Sequence, residues 1–287
     1  MVPGFVTTSE ATARAAAEKL RHFAGIEANA YSDLESLLAR ETLDALAILS
    51  PPETHARQLQ LACDARLPVL CEKPFVWGGH DPAGEAGSLL AAFDAAELPV
   101  WENCQWPYTL PAFEALHPGV LGKPPVAFGM ELEPITRGGQ ALVDALSHPL
   151  SLLQALSPGD AQLEGLAFSS REPRAPSLTI WFHYRTAQAD TRVEVALRQN
   201  ETPPRHAAYT IDGHRAERVV APESYRLSFR DADRAVPLAD PLTQLVADFV
   251  HTLRRPGDLS HSLPRRIHQR MQFLAAIAAA FASEETR

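Results

Sequence analysis

The feature that most restricts this chain is the run Leu43-Asp44-Ala45-Leu46-Ala47-Ile48-Leu49, which is almost continuously apolar and closes on Ser50-Pro51-Pro52. Such a run suits a central parallel strand buried on both faces. The sequence repeats the same alternation on either side of it. Gly4-Phe5-Val6-Thr7 is β-prone and leads to an alanine-rich helix over 11–23, with Ser9 as its N-cap. A short segment at 28–31 precedes Ser32-Asp33-Leu34-Glu35, a capping-box pattern that opens a helix ending near Arg40. After the apolar run come a helix over 54–65, Pro68-Val69-Leu70-Cys71 as a second buried strand, a helix over 82–95, and Pro99-Val100-Trp101 as a third. Strands and helices alternating at this pitch are βαβ units of a parallel sheet, half of a doubly wound domain.

The texture changes after Trp101. Pro107, Pro111, Pro118, Pro124 and Pro125 mark loops, and β-rich segments follow at 163–169, 177–184, 191–197, 207–211 and 224–229. Consecutive strands with short polar connections predict a mostly antiparallel, open sheet. Two helices are expected last, over 240–253 and 265–282. Leu242, Leu245, Val246, Phe249, Val250 and Leu253 recur at helical spacing on the first, a pattern expected to pack into a core. The fold class is therefore α/β, with an incomplete parallel-sheet domain over 1–101 followed by an α+β domain over 102–287.

Net charge is −9 over 287 residues, with a pI near 5.7. That argues against nucleic acid or an anionic membrane as the main partner, since both call for a basic surface. Cys63, Cys71 and Cys104 have no paired spacing and are read as reduced thiols. No apolar run approaches the roughly 20 residues of a membrane span, and no signal-peptide pattern opens the chain. A cytoplasmic protein with a small-molecule substrate is expected.

Candidate chemistry gathers at the strand ends. One buried strand ends in Ser50-Pro51-Pro52-Glu53-Thr54-His55 and the next in Glu72-Lys73-Pro74. Ligands of open parallel sheets sit outside the carboxyl ends of the strands, so both loops face one crevice. A lysine held there can donate a proton or sit beside a developing alkoxide, although a loop lysine is ordinarily only solvated. Farther on, Asp144 and His148 are spaced i, i+4, on one face of a helix. An imidazole beside a carboxylate is the arrangement a general base for a substrate hydroxyl requires. Alone, such a pair is more often a surface ion pair or part of a metal site, and further zinc ligands at useful spacing are not evident.

Read in order, Tyr31-Ser32-Asp33-Leu34, the 50–55 loop, Cys71-Glu72-Lys73-Pro74, the stretch from Asn103 to Phe113 around Pro111, the Asp144/His148 pair and Asp240-Pro241-Leu242 resemble the Gfo/Idh/MocA oxidoreductases. The resemblance covers almost the whole chain. It implies a Rossmann-type domain, an NADP or NAD cofactor, and hydride transfer to or from a hydroxyl or carbonyl carbon of a sugar, polyol or related compound. Lys73, Asp144 and His148 correspond to the family's catalytic triad. The histidine would take the hydroxyl proton, Asp144 would orient it, and Lys73 would stabilise the oxygen and contact the substrate or the nicotinamide ribose. Ser50, Pro51, Pro52, His55 and Glu72 would line the nicotinamide half, with Gln105 and Trp106 in the substrate pocket. A homodimer through the second domain's sheet is implied as well.

The chain departs from the family pattern in places. No G-x-G-x-x-G occurs among its 15 glycines, and Gly4 to Thr7 matches the family's second strand. The absent unit, about 25–35 residues, would carry the pyrophosphate loop and the central strand, leaving two strands with exposed edges. Three readings are open: a longer natural chain, a variant that has lost dinucleotide binding, or a partner chain that completes the sheet. Thr8 and Ser9 stand where an acidic residue usually meets the adenosine ribose, which weakly favours NADP. Pro149 disfavours helical geometry at His148, so a kink is expected. Ser151 replaces a frequent second acid, and Gln105-Trp106 replaces the usual basic residue. Trp101, Trp106 and Tyr108 can stack on a sugar face, core packing being the commoner use of at least two of them. The alternative function is a non-catalytic relative that binds partners through its open sheet. A metal-dependent isomerase using Asp144 and His148 is a remoter third.

Overall fold

The computed structural model describes residues 2–255 and 262–283. Its first part alternates as expected: β1 (Gly4–Val6), α1 (Glu10–Ala24), β2 (Asn29–Tyr31), α2 (Leu34–Arg40), β3 (Leu46–Ile48), α3 (His55–Asp64), β4 (Val69–Cys71), α4 (Pro82–Ala95) and β5 (Val100–Glu102). All strand pairs here are parallel, but they form two ladders, β1–β2 and β3–β4–β5. No ladder joins β1 to β3 among the described residues.

Local chemistry explains most of the boundaries. Ser9 caps α1 by accepting from Thr12 N, and Thr12 Oγ1 accepts in return from Ser9 N. For α2 the cap is Asp33, not Ser32. Its carboxylate accepts from Ser36 N at 2.6 Å, and a negative charge suits a helix N-terminus. The 43–49 run also differs from the expectation. Only Leu46–Ile48 is strand, and while Ile48 is buried, Ala47 and Leu49 are exposed. The reason is that β3 ends its ladder with β4 on one side only, whereas β4, flanked by β3 and β5, is buried throughout.

After β5 come α5 (Leu110–Leu116), β6 (Ala127–Leu132), α6 (Gly139–Ala145), α7 (Ser147–Leu156), and strands β7 (Ala161–Phe168), β8 (Ser177–Thr186), β9 (Asp190–Arg198), β10 (Ala207–Ile211), β11 (His214–Val220), β12 (Leu227–Arg230) and β13 (Ala235–Leu238). They build an eight-stranded sheet in the order β13-β12-β11-β10-β6-β9-β8-β7, antiparallel except where β6 runs parallel to β9. The sequence reading passed over α5, β6, β11 and β13. The β10–β11 hairpin had a signal in Asp212-Gly213, both at positive φ in a two-residue turn.

The last helices, α8 (Pro241–Arg254) and α9 (Ser262–Ala282), tie the two parts together. Leu245 and Phe249 of α8 bury against Leu70 of β4, but Leu242 and Val246 are exposed, so the apolar stripe is narrower than its spacing suggests. Helix α9 packs on α4, α6 and α7, with Ile267 and Met271 in the core of the parallel ladder and Leu274 and Ile277 in the core of the large sheet.

Gly138, at φ +55, opens α6 where the 173–175 loop crosses it, and its N–H donates to Ala175 O at 3.0 Å. A Cβ there would lie 1.7 Å from Pro173 O. Gly138→Ala is expected to cost about 2–4 kcal/mol of unfolding free energy. Gly139→Ala, where the added carbon meets Phe281 in ordinary contact, should change little. Urea midpoints at constant m would compare them, and equal midpoints would show that the loop yields freely.

Candidate active site

The carboxyl ends of β3, β4 and β5 are locked to one another before any functional group is considered. Glu72 N donates to Ile48 O at 2.8 Å, and Asn103 N to Cys71 O at 2.7 Å. Across the ladder, Asn103 Nδ2 donates to Glu72 Oε1 at 2.6 Å, while Asn103 Oδ1 is buried without a partner. Lys73 follows Glu72 directly and precedes a cis bond to Pro74. Its Nζ donates to the backbone carbonyl of Asp144 at 2.6 Å and lies 3.6 Å from Asp144 Oδ1. Residues 71 positions apart in the chain thus meet.

The helix carrying Asp144 and His148 is interrupted between them. α6 ends at Ala145 and α7 begins at Ser147, with Leu146 as the joint. Pro149 has no N–H to return to Ala145, yet Leu146 keeps right-handed helical angles and His148 lies within α7, so the departure from helical geometry expected at His148 does not occur. Asp144 is engaged elsewhere: Oδ2 accepts from Thr136 Oγ1 at 3.0 Å, and Oδ1 faces Lys73. In this structure the aspartate pairs with the lysine and makes no hydrogen bond to the histidine. His148 is mostly enclosed, its Nδ1 buried without a partner and its ring 6.1 Å from Trp106. Burial first, then the charges of Lys73 and Arg218, hold its pKa well below the usual imidazole value. It therefore stands neutral and able to accept a proton. Ser151, in the position of the second acid, donates to His148 O at 2.7 Å.

Sequence reasoning missed the group beneath this cleft. Glu102 at the end of β5 accepts on Oε2 from Arg270 of α9, at 2.8 Å from Nε and 2.6 Å from Nη2. Arg270 also donates to Gln154 of α7. Glu102 Oε1 accepts from Phe75 N at 2.9 Å, two residues past Lys73. The Cys104 thiol bridges Glu102 Oε2 and the carbonyl of Ser147, beside His148. One buried ion pair thus reaches both the lysine loop and the histidine helix. No local pattern announces it, because Arg270 sits 168 residues after Glu102 in an otherwise ordinary helix.

Several expected contact residues are placed for structural use. His55 is fully buried, with Nδ1 3.0 Å from Pro74 O and Nε2 2.8 Å from Ser50 O, so it latches the two loops and has no surface to offer a cofactor. Ser50 Oγ is engaged with Thr54 and Gln58. Pro51 and Pro52 remain at the loop surface, and Glu72 is half-buried at the crevice. At the end of β1, Ser9 Oγ is committed to capping α1 and Thr8 is exposed. Trp106 is buried, against Tyr209, His148 and Arg218, and offers its ring only as a wall of the pocket. Gln105 is half-buried beside it. Trp101 and Tyr108 are engaged with α8, through Phe249 and Asp248.

A cofactor can be tested against these residues. Glu72, Lys73 and the 50–52 loop form the wall that a nicotinamide half would meet. Among the described residues there is no glycine loop or ladder between β1 and β3 to receive a diphosphate. No group of three or more metal-ligating side chains occurs among them either, and no described helix is long and apolar enough to cross a membrane.

A parallel Rossmann-type ladder with a lysine at a strand end, and a large, mostly antiparallel sheet behind the cleft, give the chain a Rossmann-like α/β architecture. Residues 2–104 match the Gfo/Idh/MocA oxidoreductase family model, described as an NAD-binding Rossmann fold. Over 103 residues it is 32% identical to D-apiose dehydrogenase from Paraburkholderia graminis, a match spanning 35% of this chain and only 26% of that enzyme. By fold it is similar to a Gfo/Idh/MocA oxidoreductase from Vibrio cholerae, with TM-score 0.71, 15% identity, and 99% of this chain and 91% of that one covered. It is also similar to a 3-ketoreductase from Actinomadura kijaniata crystallised with TDP-benzene and NADP, with TM-score 0.72, 18% identity, and 96% and 88% covered.

Two measurements follow. Arg270→Met leaves Glu102 buried without its counter-charge and should cost about 3–5 kcal/mol, while pairing it with Glu102→Leu should recover part of the loss. Strict additivity in urea titrations would deny the coupling. For His148 the folded pKa lies below the unfolded one, so the unfolded chain binds more protons as pH falls through about 6.5. Stability should therefore fall on acidification in that range, and His148→Gln should flatten that part of the curve.

Proposed function

We propose that the protein is an NAD(P)-dependent oxidoreductase acting on a hydroxyl or carbonyl carbon of a sugar, polyol or related small molecule. The observation that carries the reading is the meeting of Lys73 and Asp144 beside a neutral, partly enclosed His148 at the strand ends. His148 takes the proton of the substrate hydroxyl. Its depressed pKa keeps it in the accepting form at neutral pH, and general-base help of this kind contributes about 10²–10⁴-fold. Lys73 stabilises the charge that develops on the substrate oxygen. Asp144 holds the lysine in place, a role the interrupted helix favours over orienting the imidazole. A bound nicotinamide supplies the hydride acceptor or donor. The hydroxyls of Thr8 and Ser9 at the end of β1, in place of a carboxylate, favour NADP over NAD. D-Apiose dehydrogenase, by its name, acts on a sugar, which supports the substrate class. A cytoplasmic homodimer paired through the large sheet belongs to the same reading.

A second reading is favoured by one observation. With no glycine loop in the 287 residues and no ladder joining β1 to β3, the chain can be a non-catalytic relative that uses its open sheet for binding.

Calorimetric titration of residues 1–287 with NADPH and NADH is expected to give very weak binding or none. Low-micromolar affinity would mean that a different phosphate site exists. Turnover of a sugar and polyol panel at millimolar nucleotide, cut about 10²-fold or more by Lys73→Ala or His148→Ala, supports the oxidoreductase. Near-normal rates in both variants would remove these roles, and no turnover at all would favour the binding protein.

A further inference from the structure

Arg218 of β11 lays its guanidinium over the indole of Trp106, with Cζ 5.5 Å from the ring. The same indole faces the His148 ring, and the charge of Arg218 is felt at that imidazole. Arg218 is largely enclosed. Its Nε is buried without a hydrogen-bond partner, and Nη2 reaches only the Arg205 carbonyl, at 3.4 Å. No carboxylate of the described residues forms an ion pair with it, whereas Arg185, Arg198, Arg215 and Arg270 each have one. Burial and the neighbouring Arg205 hold its pKa below the usual arginine value. Lys73, the other cation beside His148, is matched by Asp144. Arg218 is therefore the cation of this centre left without a counter-charge among the described residues.

A buried cation without a counter-charge is costly, and the face of an aromatic ring offsets only part of that cost. The free Nε edge of a guanidinium presents parallel donors that suit a carboxylate. One uncompensated charge calls for one negative charge, and the apolar wall of Trp106 strengthens the attraction by excluding water.

We propose that Arg218 binds a carboxylate of the substrate next to the carbon served by His148, so that the substrate is a polyhydroxy acid and not a neutral sugar. This rests on the reading of the Lys73–His148 cleft as the substrate site. It makes Arg218 the residue that sets specificity.

The test uses the full chain with D-gluconate and its uncharged counterpart D-glucitol, and needs neither nucleotide nor turnover. D-Gluconate, and not D-glucitol, should raise the melting temperature of the wild type. Arg218→Gln should weaken D-gluconate binding about 10- to 100-fold, while Arg192→Gln, on an exposed stretch of β9, leaves it unchanged. NMR titration of the His148 ring gives a second measure without any variant: saturating D-gluconate should raise its pKa toward the usual value and D-glucitol should not. Equal binding of both compounds, stabilisation by inorganic phosphate alone, or an Arg218→Gln protein that binds as well as wild type would overturn the proposal. D-Gluconate binding without any oxidoreductase activity would support this site while removing the functional reading above. Turnover of neutral sugars without D-gluconate binding would do the reverse.

Discussion

Glu102 ends β5 as a carboxylate with almost no exposure, and Arg270 is the group that makes this tolerable. Removing either charge leaves the other stranded in a medium where an unpaired ion is strongly unfavourable. The pair is also a junction. Its carboxylate holds the backbone just beyond Lys73, and its guanidinium holds Gln154 on the helix of His148. The placement of Lys73 relative to His148 is thus supported by a contact in the core, not by loops at the surface. Such support beneath a site preserves geometry to within a fraction of an ångström.

The parallel strands raise a different constraint. β4 is buried on both faces because it has a neighbour on each side, while β3 leaves Leu49 exposed at its end. The two ladders stand without a shared backbone bond among the described residues. The crevice wall at β4 and β5 is consequently well determined, and α8 and α9 bind it to the large sheet. The β1–β2 pair is held mainly by α1 and α2. The difference bears directly on cofactor binding, because a dinucleotide would need both ladders.

Electrostatics give the cleft its chemical character. His148 lies among two cations and an apolar wall, so its neutral form is favoured. Lys73 is neutralised by Asp144, but Arg218 is not neutralised by any described residue. A site arranged this way keeps the imidazole unprotonated and leaves Arg218 without a counter-charge of its own, in a chain that is acidic as a whole.

The sequence by itself determined the alternating strands and helices, the strand-end position of Lys73, and the backbone bond that Pro149 leaves unmade where α6 meets α7. These are local matters of apolar periodicity, caps and a missing N–H, which short stretches specify. The glycine pattern was equally legible as an absence. The sequence was silent on β11, so it could not reveal Arg218, and the resemblance that set His55 against a cofactor does not show that its ring is fully buried between two loops. Tertiary structure decided that Asp144 serves the lysine, that Trp106 is a wall, and that Glu102 and Arg270 underpin the cleft. Those outcomes depend on which buried polar groups find partners far along the chain, and only packing determines that.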